Sequence, residues 1–133
     1  MTKKKIGIIA APPGVFLDKH EKLAVDFLAV NLGYDITFLV PDRRVGAKTP
    51  DINMNGILWE IKSPTGKSSR TIENNLREAI LQSSNIILDL RRMDGRVPTH
   101  KHIRETEKQF RLAKKIKQLI VITREDERID FSR

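Results

Sequence analysis

Apolar positions change their spacing several times along the chain, and each change marks an element. Ile6 to Ala11 is a short apolar run stopped by Pro12-Pro13-Gly14, as a strand would be. In the next segment, DKHEKLAVDFLAVNLGY, Leu23, Phe27 and Val30 recur at helical spacing, with Ala24 beside them. Asp18 followed by Glu21 is a capping-box pattern, and Gly33 sits where a helix stops. Tyr34 to Val40 predicts a second strand, and Pro41 to Pro50 a polar loop. Asp51 to Lys62 predicts a strand pair broken at Asn55-Gly56, and Ser63 to Ser69 a hydroxyl-rich loop. Arg70 to Ser84 places Ile72, Leu76, Ala79, Ile80 and Ser83 on one side of a second helix. Asn85 to Leu90 is another apolar strand, and Arg91 to Thr99 a loop. A Thr99 cap opens a third helix reaching about Lys117, with Ile103, Phe110, Ala113 and Ile116 as its buried stripe. Leu119 to Thr123 reads as the last strand, and the residues beyond Thr123 as a charged tail.

The resulting order, β-α-β-β-β-α-β-α-β, is that of an α/β protein: an α+β mixed sheet flanked by helices. A length of 133 residues suits one domain over 1–133. No segment has the roughly 18 uninterrupted apolar residues of a membrane span. The run Ile6–Ala11 is shorter than the ~7–15 residues of a signal-peptide apolar region. The expected place of action is therefore the cytoplasm, of a producing or a target cell.

The strand pair holds an anomaly, because an otherwise apolar stretch carries Asp51, Glu60 and Lys62. Asn-Gly favours a two-residue turn, since both central residues need positive φ. With that turn Met54 faces Ile57, Asn53 faces Leu58, Ile52 faces Trp59 and Asp51 faces Glu60. Lys62 joins Asp51 and Glu60 by the period-two rule, while Ile52, Trp59 and Ile61 turn the other way. Like charges set opposite each other destabilise a strand pair, and a divalent cation between them would turn repulsion into ligation. A salt-bridged, solvated sheet edge with Lys62 between the acids is the plain structural alternative.

Composition narrows the chemistry. The chain has no Cys and three His, so a metal would be held mainly by oxygen, which suits hard cations. Lys and Arg number 25 against 17 acids, a formal charge of +8. Between Arg91 and Lys117 there are ten Lys/Arg and three acids, which points to a polyanion or to a solvated helix face.

Pro50-Asp51, eight further residues, and Glu60-Ile61-Lys62 resemble the signature of the PD-(D/E)XK nuclease superfamily. The resemblance covers about residues 18–90 and implies a restriction-endonuclease-like core, with the basic helix and last strand over 99–123 outside it. Within that superfamily, EKLAVDFLAVNLGYDI, LWEIKSPTG and AILQSSNIILDL look most like the C-terminal tRNA nuclease domains of contact-dependent inhibition CdiA toxins. The likeness implies that Asp51, Glu60 and the Ile61 carbonyl bind a divalent metal, Mg2+ foremost and Mn2+ or Zn2+ otherwise. Lys62 would then orient or deprotonate the attacking water. Glu21 would reach the metal through water, or else serve only its capping box. Gln82 would contact substrate or water, or else end its helix as an ordinary polar residue.

Arg43, Arg44 and Lys48 before the motif, Ser63, Lys67 and Ser68 after it, and Lys101, Arg104, Lys108, Arg111 and Lys115 on the basic helix are the candidate phosphate contacts. SPTGKSS lacks the earlier glycine of a nucleotide-binding loop. Trp59 is expected in the core, and His100 and His102 at the surface. The sequence thus predicts a metal-dependent nuclease acting on tRNA, other RNA or DNA, with an acidic immunity protein as partner if it is a toxin. The alternatives are a DNA-processing nuclease related to junction resolvases or mobile elements, and a non-catalytic nucleic-acid-binding module. The sequence does not define an oligomeric state.

Overall fold

The computed structural model describes residues 5–15, 17–42 and 44–133. The elements are β1 (Ile9–Ala10), α1 (Lys19–Leu32), β2 (Ile36–Phe38), β3 (Ile52–Met54), β4 (Ile57–Lys62), α2 (Ser69–Ala79), β5 (Asn85–Asp89), α3 (Thr99–Leu112), β6 (Gln118–Ile122) and β7 (Arg128–Ser132). The seven strands form one mixed sheet in sequential order, β1 to β7. Helical crossovers produce the parallel pairs β1–β2, β4–β5 and β5–β6; the antiparallel pairs β3–β4 and β6–β7 are joined by short turns and β2–β3 by the long loop between Phe38 and Ile52. The expected α+β mixed sheet is the architecture found.

Strand parity divides the core into two layers. Trp59 and Ile61 of β4, Ile87 of β5, and Ile120 and Ile122 of β6 pack with Ala24, Val25, Leu28 and Ala29 of α1. Ile86 and Leu88 of β5, and Leu119 and Val121 of β6, face the opposite layer with α2 and with Phe110 of α3. Trp59 is therefore in the core, as parity required. In the pairing of β4 with β5, Glu60 lies beside Ile86 and Lys62 beside Leu88. Those two polar residues consequently share the side that α2 covers.

Several sequence expectations need correcting. The buried face of α1 is Ala24, Val25, Leu28 and Ala29, whereas Leu23 and Val30 are about half exposed. The helix is apolar on most sides, so spacing alone could not orient it. The region 80–84 is turn rather than helix, because α2 ends at Ala79. Helix α3 ends at Leu112 rather than near Lys117, since Arg133 donates to the carbonyls of Phe110, Ala113 and Ile116 and closes that end. Its buried face is His102, Thr106 and Phe110. Thr99 does not cap it; its hydroxyl instead bonds Glu125 and receives Arg124. The tail is not free, because residues 128–132 form β7, paired throughout with β6. Among the described residues, no helix is long and apolar enough to cross a membrane.

Candidate active site

The hairpin forms with the register the Asn-Gly turn dictates: Met54 opposite Ile57, Asn53 opposite Leu58 and Ile52 opposite Trp59. Asn55 and Gly56 both have positive φ, 54° and 81°, and the Asn53 side chain accepts the Gly56 N–H at 3.0 Å. The regular ladder ends at Ile52. Asp51 does not continue it opposite Glu60, since its N–H donates to the Trp59 carbonyl at 2.9 Å. Trp59 already faces Ile52, so two residues of one strand oppose one of the other, a bulge-like departure. β4 runs on to Lys62 and leaves a fork beyond the end of β3.

The fork would strand a backbone donor, and Asp51 fills the gap. Its Oδ2 accepts the Ile61 N–H at 2.7 Å, so a side chain replaces the missing strand. The N–H and C=O of one strand residue open to the same side, so the Ile61 carbonyl also faces Asp51. Glu21 enters from the first turn of α1. Asp18 caps that turn, accepting the His20 and Glu21 N–H groups at 2.9 and 3.0 Å. The Glu21 carboxyl itself stands next to Asp51. Lys62 completes the group, with its Nζ 3.5 Å from Glu78 Oε2 on α2.

Electrostatics show how tightly these groups are set. Burial and then the Asp51 charge push the Glu60 carboxyl up to about 8, with Lys62 opposing. Burial, then Asp51, push Glu21 up to about 8, with Asp18 adding and Lys62 again opposing. Glu60 is buried at 7% exposure, and its Oε1 has no hydrogen-bond partner. Among the described residues, no group of three or more His, Cys, Asp and Glu is placed to hold a metal ion as it stands. The donor set still fits a hard divalent cation: it is all oxygen, crowded with negative charge, and holds a buried acceptor without a donor. Two clefts meet at Glu21 and Asp18. One of about 240 Å³ runs along Phe38, Thr49 and Asp51, and one of about 260 Å³ along Lys62, Asn75 and Arg92.

The remaining candidates are more scattered. Gln82 Oε1 accepts the Thr49 N–H at 3.1 Å, so it anchors the loop two residues before Asp51. Arg43 lies outside the described residues. Arg44 is exposed and locked onto Asp42, and Lys48 is exposed. The Ser63 hydroxyl is buried without a partner, Ser68 caps α2, and Lys67 is exposed. Lys101, Arg104, Lys108, Arg111 and Lys115 are exposed on or just beyond α3, which packs on α2 and so stands one helix away from the acids. His102 is the clear departure from expectation: it is buried at 3% exposure, held below the usual histidine range by burial and then by Arg124. Asn75 and Arg92 join the site only in the fold, since no local pattern in the sequence distinguishes them.

Residues 48–128 match the contact-dependent growth inhibition CdiA C-terminal domain. The chain belongs to that family. The match takes in Asp51, Glu60 and Lys62 but begins after Glu21, so the α1 acid is a feature of this structure beyond the matched stretch. Among solved structures, this CdiA C-terminal domain is similar to the CdiA-CT/CdiI toxin and immunity complex from Burkholderia pseudomallei, with 20% identity and a TM-score of 0.64. That similarity covers 94% of this chain and 99% of the other, and at this identity it speaks for the fold. No curated protein sequence matches the chain.

Proposed function

We propose that this domain is a toxin of the PD-(D/E)XK type that hydrolyses phosphodiester bonds in nucleic acid with a divalent metal ion, tRNA being the foremost substrate. The observation that carries the reading is the convergence of Glu21, Asp51, Glu60 and Lys62 at one strand fork. Asp51, Glu60 and the Ile61 carbonyl would hold the ion, with Glu21 reaching it through water. When bound, the ion supplies Lewis acidity toward the phosphate and a water of lowered pKa. Asp51 is preorganised for this role, because the Ile61 N–H fixes its carboxylate. Lys62 is held at the edge of the same group by Glu78, where it orients the attacking water or offsets developing negative charge. The Gln82 bond to Thr49 keeps the approach to Asp51 in place. The net charge of +8 favours a polyanionic substrate and an acidic immunity partner over the same surface.

One incubation tests the reading. Purified protein is mixed with total tRNA, and in parallel with plasmid DNA, with Mg2+, Mn2+ or Zn2+ and then with EDTA. Metal-dependent cleavage that EDTA stops, and that Lys62→Ala loses while its thermal melt stays normal, is the expected result. Binding without cleavage under every metal would instead identify a non-catalytic nucleic-acid-binding module.

A further inference from the structure

The segment Asp89-Leu90-Arg91-Arg92-Met93-Asp94-Gly95-Arg96 contains three arginines and two aspartates. Each aspartate holds the arginine two residues on: Arg91 Nη2 is 2.8 Å from Asp89, and Arg96 Nη2 is 2.7 Å from Asp94. Arg92, between them, has no carboxylate partner among the described residues. Its Nη1 donates to the Ser63 carbonyl at 3.1 Å, which ties the guanidinium to the residue after Lys62. Arg92 thus lines the 260 Å³ cleft together with His20, Glu21, Lys62, Ser63 and Asn75. Two polar atoms around this cleft, His20 Nδ1 and Ser63 Oγ, are buried with no hydrogen-bond partner. The cleft therefore offers a guanidinium without a carboxylate partner, tied to the Ser63 carbonyl across from Asp18 and Glu21, together with two polar atoms that lack partners.

We infer that this cleft is a phosphate subsite beside the reacting centre. Arg92 binds a phosphodiester of the substrate next to the scissile one, and Asn75, Ser63 and His20 bond its oxygens or the adjoining sugar. The inference rests on the nuclease reading and adds the position of a second phosphate to it. A guanidinium suits the task, because its planar fork matches two phosphate oxygens. The subsite would set the strand's direction through the active site, and it needs no base contact to do so.

The test compares Arg92→Ala with Arg96→Ala, which removes the same unit of charge from an arginine already paired with Asp94. Binding of fluorescein-labelled tRNA, and separately of a labelled DNA duplex, is followed by anisotropy in EDTA across a salt series, with thermal melts of each variant alongside. For the probe that binds, Arg92→Ala is expected to weaken affinity about tenfold and to lower the salt slope by about one phosphate contact, with Arg96→Ala within about twofold of wild type. Arg92→Lys should recover only part of the loss, and in turnover Arg92→Ala should raise KM more than it lowers kcat. Equal effects of the two alanine variants, or binding of neither probe, overturn the subsite. Wild-type protein that binds as described yet cleaves nothing with any metal overturns the nuclease reading and leaves the subsite standing.

Discussion

Replacing Glu60 by Gln removes a titratable group from a buried position and keeps the side chain's shape. Glu60 is raised from 4.5 to about 8 in the fold by burial and by Asp51. A carboxyl whose folded pKa lies above its unfolded value favours the fold when protonated. Its contribution is fully present below about 4.5 and is lost as pH rises through about 8. Spread over that window at about 1.4 kcal/mol per pH unit, the loss is on the order of 5 kcal/mol. With an unfolding entropy of about 2.1 cal/mol/K per residue, that moves Tm by roughly 18 °C for a chain of 133 residues. Glu21, raised for the same reasons, acts in the same direction.

The assay is a thermal melt in EDTA from pH 5 to pH 9. Wild type should melt lower as pH rises, whereas Glu60→Gln, with a permanently neutral side chain, should start near wild type at pH 5 and stay clearly flatter. A saturating divalent ion should restore wild-type Tm at pH 8.5, by binding the ionised carboxylates of the folded state alone, and should do much less for the variant. Parallel melting curves for the two proteins across the range would refute the picture of a crowded acid cluster that holds protons to high pH.

Substitutions at three further positions probe the same construction. Asp51→Asn keeps an oxygen for the Ile61 N–H and removes the charge that crowds Glu60 and Glu21, so it should raise Tm in EDTA at pH 7 and above while lowering divalent-ion affinity in calorimetry; Asp51→Ala also strands that donor, which should cost about 1–3 kcal/mol relative to Asp51→Asn in denaturant unfolding. Trp59→Ala empties a site that is 3% exposed and should lower unfolding free energy by about 3–5 kcal/mol, reducing the folded fraction without changing metal affinity per folded molecule. Gln82→Ala frees the Thr49 N–H, and hydrogen exchange should rise at residues 44–50 with little change in β4, while a direct catalytic contact would show up as lost turnover with that loop still protected.

The sequence was most informative where a turn and a periodicity agreed. Asn55-Gly56 sets the hairpin register, and parity then sends Trp59 inward and brings Glu60 and Lys62 to one face. Parity could not show that the ladder stops at Ile52, because the stop depends on the Trp59 carbonyl accepting from Asp51 as well. β7 was present in the sequence as the alternation Arg128-Ile129-Asp130-Phe131-Ser132, obscured by its charge. The end of α3 was not readable locally, since the residues after Leu112 include good helix formers. The Arg133 guanidinium that closes it comes from the far end of the chain and lies 4.1 Å from the Phe110 ring centroid. His102 looked like a surface residue beside His100, and only the packing of α3 against neighbouring segments hides it.

The fork explains why acids can sit in the middle of a sheet at all. A complete β3–β4 ladder would satisfy the Ile61 N–H with backbone and leave a β3 carboxylate no reason to turn inward. Ending β3 at Ile52 leaves that N–H unpaired, and the nearest acceptor is the side chain of Asp51. Once Asp51 is drawn in, Glu60 and Glu21 both lie against its charge, and each holds a proton to a higher pH than an exposed carboxyl would. The cost of that crowding falls on the ion-free protein, and it is relieved only by protons or by a cation. Occupancy by a divalent ion should therefore release protons at neutral pH, fewer as pH rises past about 8. A calorimetric titration with Mg2+ in two buffers of different ionisation enthalpy reads that release directly. Identical heats in both buffers at pH 7 would mean that the carboxyls hold no protons for the ion to displace, and the crowding at the fork would then not raise their affinity for protons.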